Sequence, residues 1–395
     1  MPQIKIIHED AISHGTAPLE TCWSEPSTFI FVPNKSGVST SWLDRVADLV
    51  PPKYKNGYFG LLTSGSTGEP KLILGSKARS EKLVRVLHEL QDSEQVLETV
   101  CTLPLTYSYA FINQWLWAQV FNRKLNLTNG FSEPDHLKET LSQAKNSMLC
   151  MVGGQVALLR RYFPKTVFPG IIRLHFAGGR FPQEQLGFLH QCFPNAQIYN
   201  NYGCAEAMPR LTMRRSEEAS EAANIGHTLP GIEMKSDHEK RLLFRSPFGA
   251  VAYVDDNGFH TIGRDDWVST GDLGERQDNG WYLLGRANEV FKRYGEKIST
   301  LQLLSTVKDH WNGDAVFYQE VDSGGEQACV LVLSPEPNRQ EIRRILVGFR
   351  DNHTRPHWPL RIESLKQMPL LPSGKTDIQG LADATDLQLH WRQRV

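Results

Sequence analysis

The chain has 395 residues, of which 40% are hydrophobic and 22% charged, a balance that can build a sizeable core and excludes intrinsic disorder and fibrous repeats. Its 43 Lys and Arg nearly cancel its 44 Asp and Glu, leaving a net charge of -1, which argues against a bulk nucleic-acid binder. No apolar run approaches the ~20 residues of a membrane span, and Met1 to Gly15 lack a basic segment followed by an apolar one, so a cytoplasmic protein is expected. Six scattered cysteines (Cys22, Cys101, Cys150, Cys192, Cys204, Cys329) form no CxxC pair and are expected to be small buried hydrophobes.

In chain order, Phe29 to Val32 and Tyr58 to Thr63 read as strands, the second running into Ser64-Gly65-Ser66-Thr67-Gly68. Ser80 to Leu97 carries Leu83, Val86, Leu87 and Leu90 at the spacing of an amphipathic helix. Strand-like runs follow at 99–103, 147–152, 172–176 and 196–199, with helical patterns at 112–121, 136–143, 156–162 and 183–192. That alternation predicts βαβ units and a largely parallel sheet. From Arg241 to Leu284 short β pieces and turn signals take over, and the last ~110 residues resume the alternation, with a strand at 328–333 and a helix at 339–351. The expected fold is therefore α/β: a large N-terminal domain with mostly parallel sheets, a β-rich subdomain and a small C-terminal α+β domain.

Thr63-Ser64-Gly65-Ser66-Thr67-Gly68-Glu69-Pro70-Lys71 is the most informative segment. Glycines allow close backbone approach to a polyphosphate, hydroxyls add donors and the lysine adds charge. Pro70 stands where a Walker loop would open its helix, so that motif is excluded. On the loop alone, a hydrophilic turn between strands is an equally good reading. The loop is followed, in order, by Ala177-Gly178-Gly179-Arg180, Tyr199-Asn200-Asn201-Tyr202-Gly203-Cys204-Ala205-Glu206, Asn224-Ile225-Gly226-His227 with Pro230-Gly231, Ser269-Thr270-Gly271-Asp272, Gly285-Arg286-Ala287-Asn288-Glu289-Val290-Phe291-Lys292 with Gly295, and Pro372-Ser373-Gly374-Lys375.

This series closely resembles the motifs of the adenylate-forming superfamily: acyl-CoA synthetases, peptide-synthetase adenylation domains and luciferases. The resemblance implies an adenylation domain over residues 1–287, shortened at its start, and a mobile domain over residues 288–395. It implies ATP and Mg²⁺ as cofactors, with a small carboxylic acid activated as its acyl-adenylate and passed to a thiol. Coenzyme A is the expected acceptor; carrier-protein phosphopantetheine or an amine is the alternative, and a non-catalytic nucleotide-binding homologue is the third reading. No nucleic acid and no membrane span are implied.

Residue by residue, the resemblance gives the nucleotide phosphates to Thr63, Ser64, Gly65, Ser66, Thr67, Gly68 and Lys71, and the adenine turn to Gly178 and Gly179. Tyr202 packs on adenine or sits in the core, beside Gly203. Glu206 binds the metal, a hard oxygen for Mg²⁺. Asp272 accepts from the ribose hydroxyls, and Arg286 approaches the ribose or the α-phosphate. Lys375 bridges carboxylate and α-phosphate, Lys292 acts in the second half-reaction and Asn288 is the hinge. The acid pocket is expected at Tyr107, Phe111, Ala177 and Gly203; its aromatic wall suits an aryl or other apolar acid, although Trp115 and Trp117 are expected to be plain helix core. His310, His353 and His357 are expected to be solvated, with no metal cluster. Two departures stand out: only 62 residues precede Thr63, so part of the family's N-terminal subdomain is expected to be absent or reduced, with the exposed surface covered by a partner subunit, and Ala205 replaces the family's threonine. A carrier protein is a further expected partner.

Overall fold

Short hydrophobic segments at the start of the chain are too apolar to stay exposed and too short to fold alone, so they pair. Phe29–Val32 is buried at all four positions, with Lys5–His8 on one side and Tyr58–Ser64 on the other, both parallel to it. Tyr58–Ser64 then turns back antiparallel onto Pro70–Ser76, and Ala252–Asp255 with Gly258–Thr261 completes a six-stranded sheet. The computed structural model describes residues 4–34, 38–64, 70–287, 290–294, 296–322, 324–370 and 376–393. The chain divides into two units: Met1–Asp237, Leu242–Thr270 and Arg276–Tyr282 form one, and His238–Arg241, Gly271–Glu275 and Leu283–Val395 the other.

The larger sheet of the first unit carries the expected parallel alternation. Lys124–Leu127, Glu98–Cys101, Ser147–Met151, Ile171–Phe176 and Gln197–Tyr202 run parallel in that spatial order. Beyond them Thr212–Arg215 and Asn224–Thr228 are antiparallel. One face is covered by helices Pro134–Gln143, Gln155–Tyr162 and Leu186–Cys192, whose Leu137, Leu141, Leu159 and Leu189 bury against Val100, Leu149, Leu174 and Ile198. Against the other face lies a continuous helix over 108–120, π-helical from Phe111 to Leu116. It sits between the two sheets: Gln114 donates to Val100 O at 2.7 Å in the large sheet, and Phe111 stacks on Phe59 of the smaller sheet with centroids 5.0 Å apart. Wedged between two layers it is buried all round, which is why its sequence shows no polar stripe.

The helix expected over 80–97 is Lys77–Leu90 instead. Asp92 takes a left-handed φ of 47° and a short turn at Ser93–Gln95 follows. The buried stripe is also rotated: Ser80, Leu83, Val84, Leu87 and His88 face inward, and Leu90 is exposed. His88 is drawn in because its ring stacks on Phe121 at 3.7 Å and its Nδ1 accepts from Trp117 Nε1 at 3.2 Å. Five of the six cysteines are buried, as their chemistry suggested; Cys204 is half-buried.

In the second unit, Asp314–Val321, Gln327–Ser334, Arg361–Ser364 and Gln388–Arg392 form a four-stranded sheet. Helices Thr300–Lys308 and Arg339–Asn352 pack on it through Leu303, Val307, Ile345 and Phe349. Asn338 caps the second helix in a reciprocal box with Glu341. His353 and His357 are half-buried rather than solvated, bonded to Thr306 and Glu296 respectively and stacked on each other. Among the described residues no helix is long and apolar enough to cross a membrane.

Lys77 fixes the strand that follows the glycine-rich loop. Its ammonium, 8% exposed, donates to the carbonyls of Cys22, Glu25 and Ser27 at 2.8, 2.6 and 3.1 Å, gathering the carbonyls at and beyond the end of helix Ala17–Ser24. Lys77→Met keeps the aliphatic stem but orphans those carbonyls, at a cost of about 2–3 kcal/mol. A thermal melt of the variant is expected to fall several degrees below wild type; an unchanged melt would show that water replaces the ammonium.

Candidate active site

In an open parallel sheet, ligands bind where the strands end, because loops there diverge and leave a crevice. Three of the four central strands lead into segments singled out above. Glu98–Cys101 leads through residues 102–106 to Tyr107, which is half-buried at the start of the wedged helix. Ile171–Phe176 leads to Ala177-Gly178-Gly179-Arg180, where Gly178 holds a φ of 73° that a side chain would strain. Gln197–Tyr202 leads to Gly203, where a Cβ would lie 1.8 Å from Pro209 O. Tyr202 is buried, and Gly179 faces open space. Phe111 lies in the aromatic core with Trp23, Phe59 and Trp115, fully buried, as are Trp115 and Trp117. Only Tyr107, Ala177 and Gly203 of the expected acid pocket are at this edge.

The hairpin of Tyr58–Ser64 and Pro70–Ser76 pairs Thr63 with Lys71 and Ser64 with Pro70; Gly65, Ser66, Thr67 and Gly68 lie outside the described residues. Lys71 Nζ is 3.5 Å from Glu206 Oε1, each side chain 23% exposed, and 3.8 Å from the Tyr253 ring centroid. Glu206 is fixed by its own main chain, whose carbonyl accepts from Ala250 N at 2.9 Å. A cation and a carboxylate, half-open to water and anchored from two sheets, suit a phosphate with its counter-ion. Among the described residues no cluster of three metal-binding side chains exists. One carboxylate fits Mg²⁺, which takes its remaining ligands from phosphates and water.

One residue inside the sheet edge is a polar cluster that no motif announced. Arg210, 1% exposed, donates through Nη2 to Asn113 Oδ1 at 2.6 Å and through Nη1 to Asn201 Oδ1. His175 stacks on Tyr199 at 4.8 Å and its Nδ1 lies 3.4 Å from Asn201 Nδ2. Of these residues only Tyr199 and Asn201 lie inside a motif segment the sequence had marked, and nothing in local periodicity points to Arg210.

In the second unit, Asp272 is 6% exposed and its Oδ1 lies 3.1 Å from Arg286 Nε. Ala287 N donates to Gly271 O at 2.9 Å, so Asp272 and Arg286 are held side by side. Lys292 sits in the strand Val290–Arg293, opposite Lys297. Asn288 and Lys375 lie outside the described residues.

Comparison with known proteins shows the family and the fold. The profile described as AMP-binding enzyme matches residues 9–244, more than half of the chain. A D-alanine--D-alanyl carrier protein ligase of Staphylococcus haemolyticus is 21% identical over 375 residues, 89% of this chain and 77% of that protein. A vibriobactin-specific 2,3-dihydroxybenzoate-AMP ligase of Vibrio cholerae is 23% identical over 349 residues, 82% of this chain and 63% of that protein. Among solved structures, the anthranilate CoA ligase AuaEII in complex with anthranoyl-AMP superposes with a TM-score of 0.71 at 16% identity, over 96% of this chain and 77% of that one. The O-succinylbenzoate coenzyme A synthetase of Bacillus subtilis in complex with ATP and magnesium gives 0.66 at 18%, over 82% and 70%. The chain belongs to the family of AMP-binding, adenylate-forming enzymes.

Proposed function

We propose that the protein activates a small carboxylic acid with ATP and transfers the acyl group to a thiol, that of coenzyme A in the first instance. The observation that carries this reading is the Lys71–Glu206 contact at the foot of the glycine-rich hairpin. In the first half-reaction a carboxylate oxygen attacks the α-phosphorus and pyrophosphate leaves with the electrons of the P–O bond. Both reactants are anions, so the site works mainly by positioning and by supplying positive charge. Lys71 and the loop hydroxyls Thr63, Ser64, Ser66 and Thr67 hold the phosphates, with Gly65 and Gly68 giving the backbone access. Glu206 would hold Mg²⁺, which supplies charge neutralisation when bound. Asp272 takes the ribose hydroxyls, oriented by Arg286, while Gly178, Gly179 and Tyr202 border the adenine. In the second half-reaction the thiol sulfur attacks the activated carbonyl carbon and AMP leaves.

Residues 288–395 are proposed to act as the moving part, with Lys375 serving the first step and the strand of Lys292 the second. Phosphopantetheine on a carrier protein is the competing acceptor, since one similar protein is named a carrier-protein ligase and another a CoA ligase. Release of AMP in step with consumption of free CoA favours the first; AMP release only with a carrier protein favours the second.

Lys375→Ala is expected to slow acid-dependent ATP–pyrophosphate exchange on the order of a hundredfold or more, equivalent to roughly 3–4 kcal/mol of transition-state stabilisation, with nucleotide affinity within a few-fold of wild type. Exchange at the wild-type rate would remove Lys375 from the chemistry. Glu206→Gln should raise the half-saturating Mg²⁺ concentration roughly tenfold or more, since losing a ligand costs at least what losing its support does. A superimposable Mg²⁺ titration would move the metal elsewhere. Proline at 288 fixes φ near -65°, so Asn288→Pro is expected to keep adenylate formation and lose most acyl transfer, with Lys292→Ala a milder version. Assaying the half-reactions separately decides it: a parallel fall in both, or none in either, excludes Asn288 as the pivot.

A further inference from the structure

The cluster around Arg210 is built from hydrogen-bond donors. Its guanidinium is enclosed, and among the described residues it makes no ion pair; its acceptors are the neutral amide oxygens of Asn113 and Asn201. Burial brings its pKa down to about 10, so it stays charged at neutral pH. The neighbouring Cys150 thiol is pushed up to about 12 and the Tyr109 phenol well above its usual range, both by burial, so neither supplies a negative charge.

The network also sets the histidine. Asn201 presents its oxygen to Arg210, so its amide nitrogen donates to His175 Nδ1. Burial and the nearby cation hold the imidazole neutral, which leaves the proton on Nε2. Among the described residues that N–H is buried without a hydrogen-bond partner, while the Tyr109 hydroxyl sits against Cys150 and Asn201. A buried cation beside an orphaned N–H is costly unless an anion completes it.

Its place in the fold says what could arrive. Cys150 and His175 are register partners, as are His175 and Tyr199, and Asn201 shares a face with Tyr199. Cys150, His175 and Asn201 are each the penultimate residue of their strand, directly inside the edge that carries Ala177 and Gly203. The covering helix is π-helical where it contributes Asn113, and such wide turns recur at functional sites.

We propose that this cluster is the far end of the acid pocket and that Arg210 is its specificity-determining residue: the acid activated here carries a second anionic group, a carboxylate, which Arg210 and His175 Nε2–H receive. The inference rests on the adenylation reading above and narrows its small carboxylic acid to one with an anionic tail, in place of the apolar acid expected from the sequence.

The test is pyrophosphate exchange on the full chain with matched acids: hexanoate against adipate, and benzoate against the three benzenedicarboxylates. Wild type is expected to favour a dicarboxylate over its neutral partner. In Arg210→Met the ratio of kcat/KM, dicarboxylate over neutral, should fall on the order of a hundredfold, chiefly through KM, because the second carboxylate then meets no charge. Arg210→Lys keeps the charge without the fork and should lose less. Wild-type preference for the neutral member of both pairs, or an unchanged ratio in Arg210→Met, overturns the inference while leaving adenylation standing. Exchange with no acid at all overturns adenylation and this inference with it. Thermal melting checks the fold of both variants; if Arg210→Met does not melt cooperatively, the wild-type ratio and Arg210→Lys decide.

Discussion

The contact between Lys71 and Glu206 depends on a main-chain bridge between two sheets. Lys71 belongs to the smaller sheet, and Glu206 follows the last parallel strand of the larger one. Val251 N donates to Leu74 O at 2.9 Å and Ala250 N to Glu206 O at 2.9 Å, so one short segment holds both. An ion pair of half-exposed side chains is worth little by itself in water. It is the backbone bridge that places the two charges, and the pair reports that placement. Gly203 is the matching constraint on the other side, since any side chain there would drive Pro209 out of its path. A site that must hold anions cannot rely on long side chains finding each other, because their entropy would be lost at every turnover.

Depth then sorts the charges of the first unit into two kinds. At the strand ends, Lys71 and Glu206 are near water and opposite in sign, so they can exchange each other for phosphate and metal at small cost. One residue deeper, Arg210 is enclosed and accompanied by neutral partners. A charge in that position interacts far more strongly with whatever reaches it, because less solvent screens it. In the proposed reaction the outer pair would serve the nucleotide, whereas the inner cation would discriminate among acids.

What could be read from the chain follows from how local each feature is. The motif loops were legible because a tight turn, a close approach or a phosphate needs glycine, and glycine is conspicuous; Gly178 and Gly203 are both required by geometry. The parallel strands were legible from their alternation with helices. The helix at Lys77–Leu90 was misjudged at its end because Asp92 breaks it with a conformation no periodicity reveals. The helix over 108–120 suggested an aromatic pocket wall at Phe111, yet two sheets enclose it, so the same aromatic residues read as a lining and serve as a core. Arg210 was invisible since its meaning comes from Asn113, 97 positions away, and from Asn201 and His175 on neighbouring strands.

Ala205 can be weighed by the same arithmetic. It opens the short turn Ala205–Ala207, which Met208 N closes onto its carbonyl at 3.1 Å, so the turn needs no hydroxyl to form. What is lost relative to the family pattern is one neutral donor toward the α-phosphate. In an ordinary protein setting that is about 1 kcal/mol, and at a water-poor reacting centre it approaches 3. Charged groups act more strongly there than neutral donors, and Lys71 remains at the hairpin foot with Lys375 in the matching motif. In the proposed reaction Ala205 would slow adenylation relative to a hydroxyl while the charged groups remain, which weighs toward a working enzyme and against a nucleotide-binding relic.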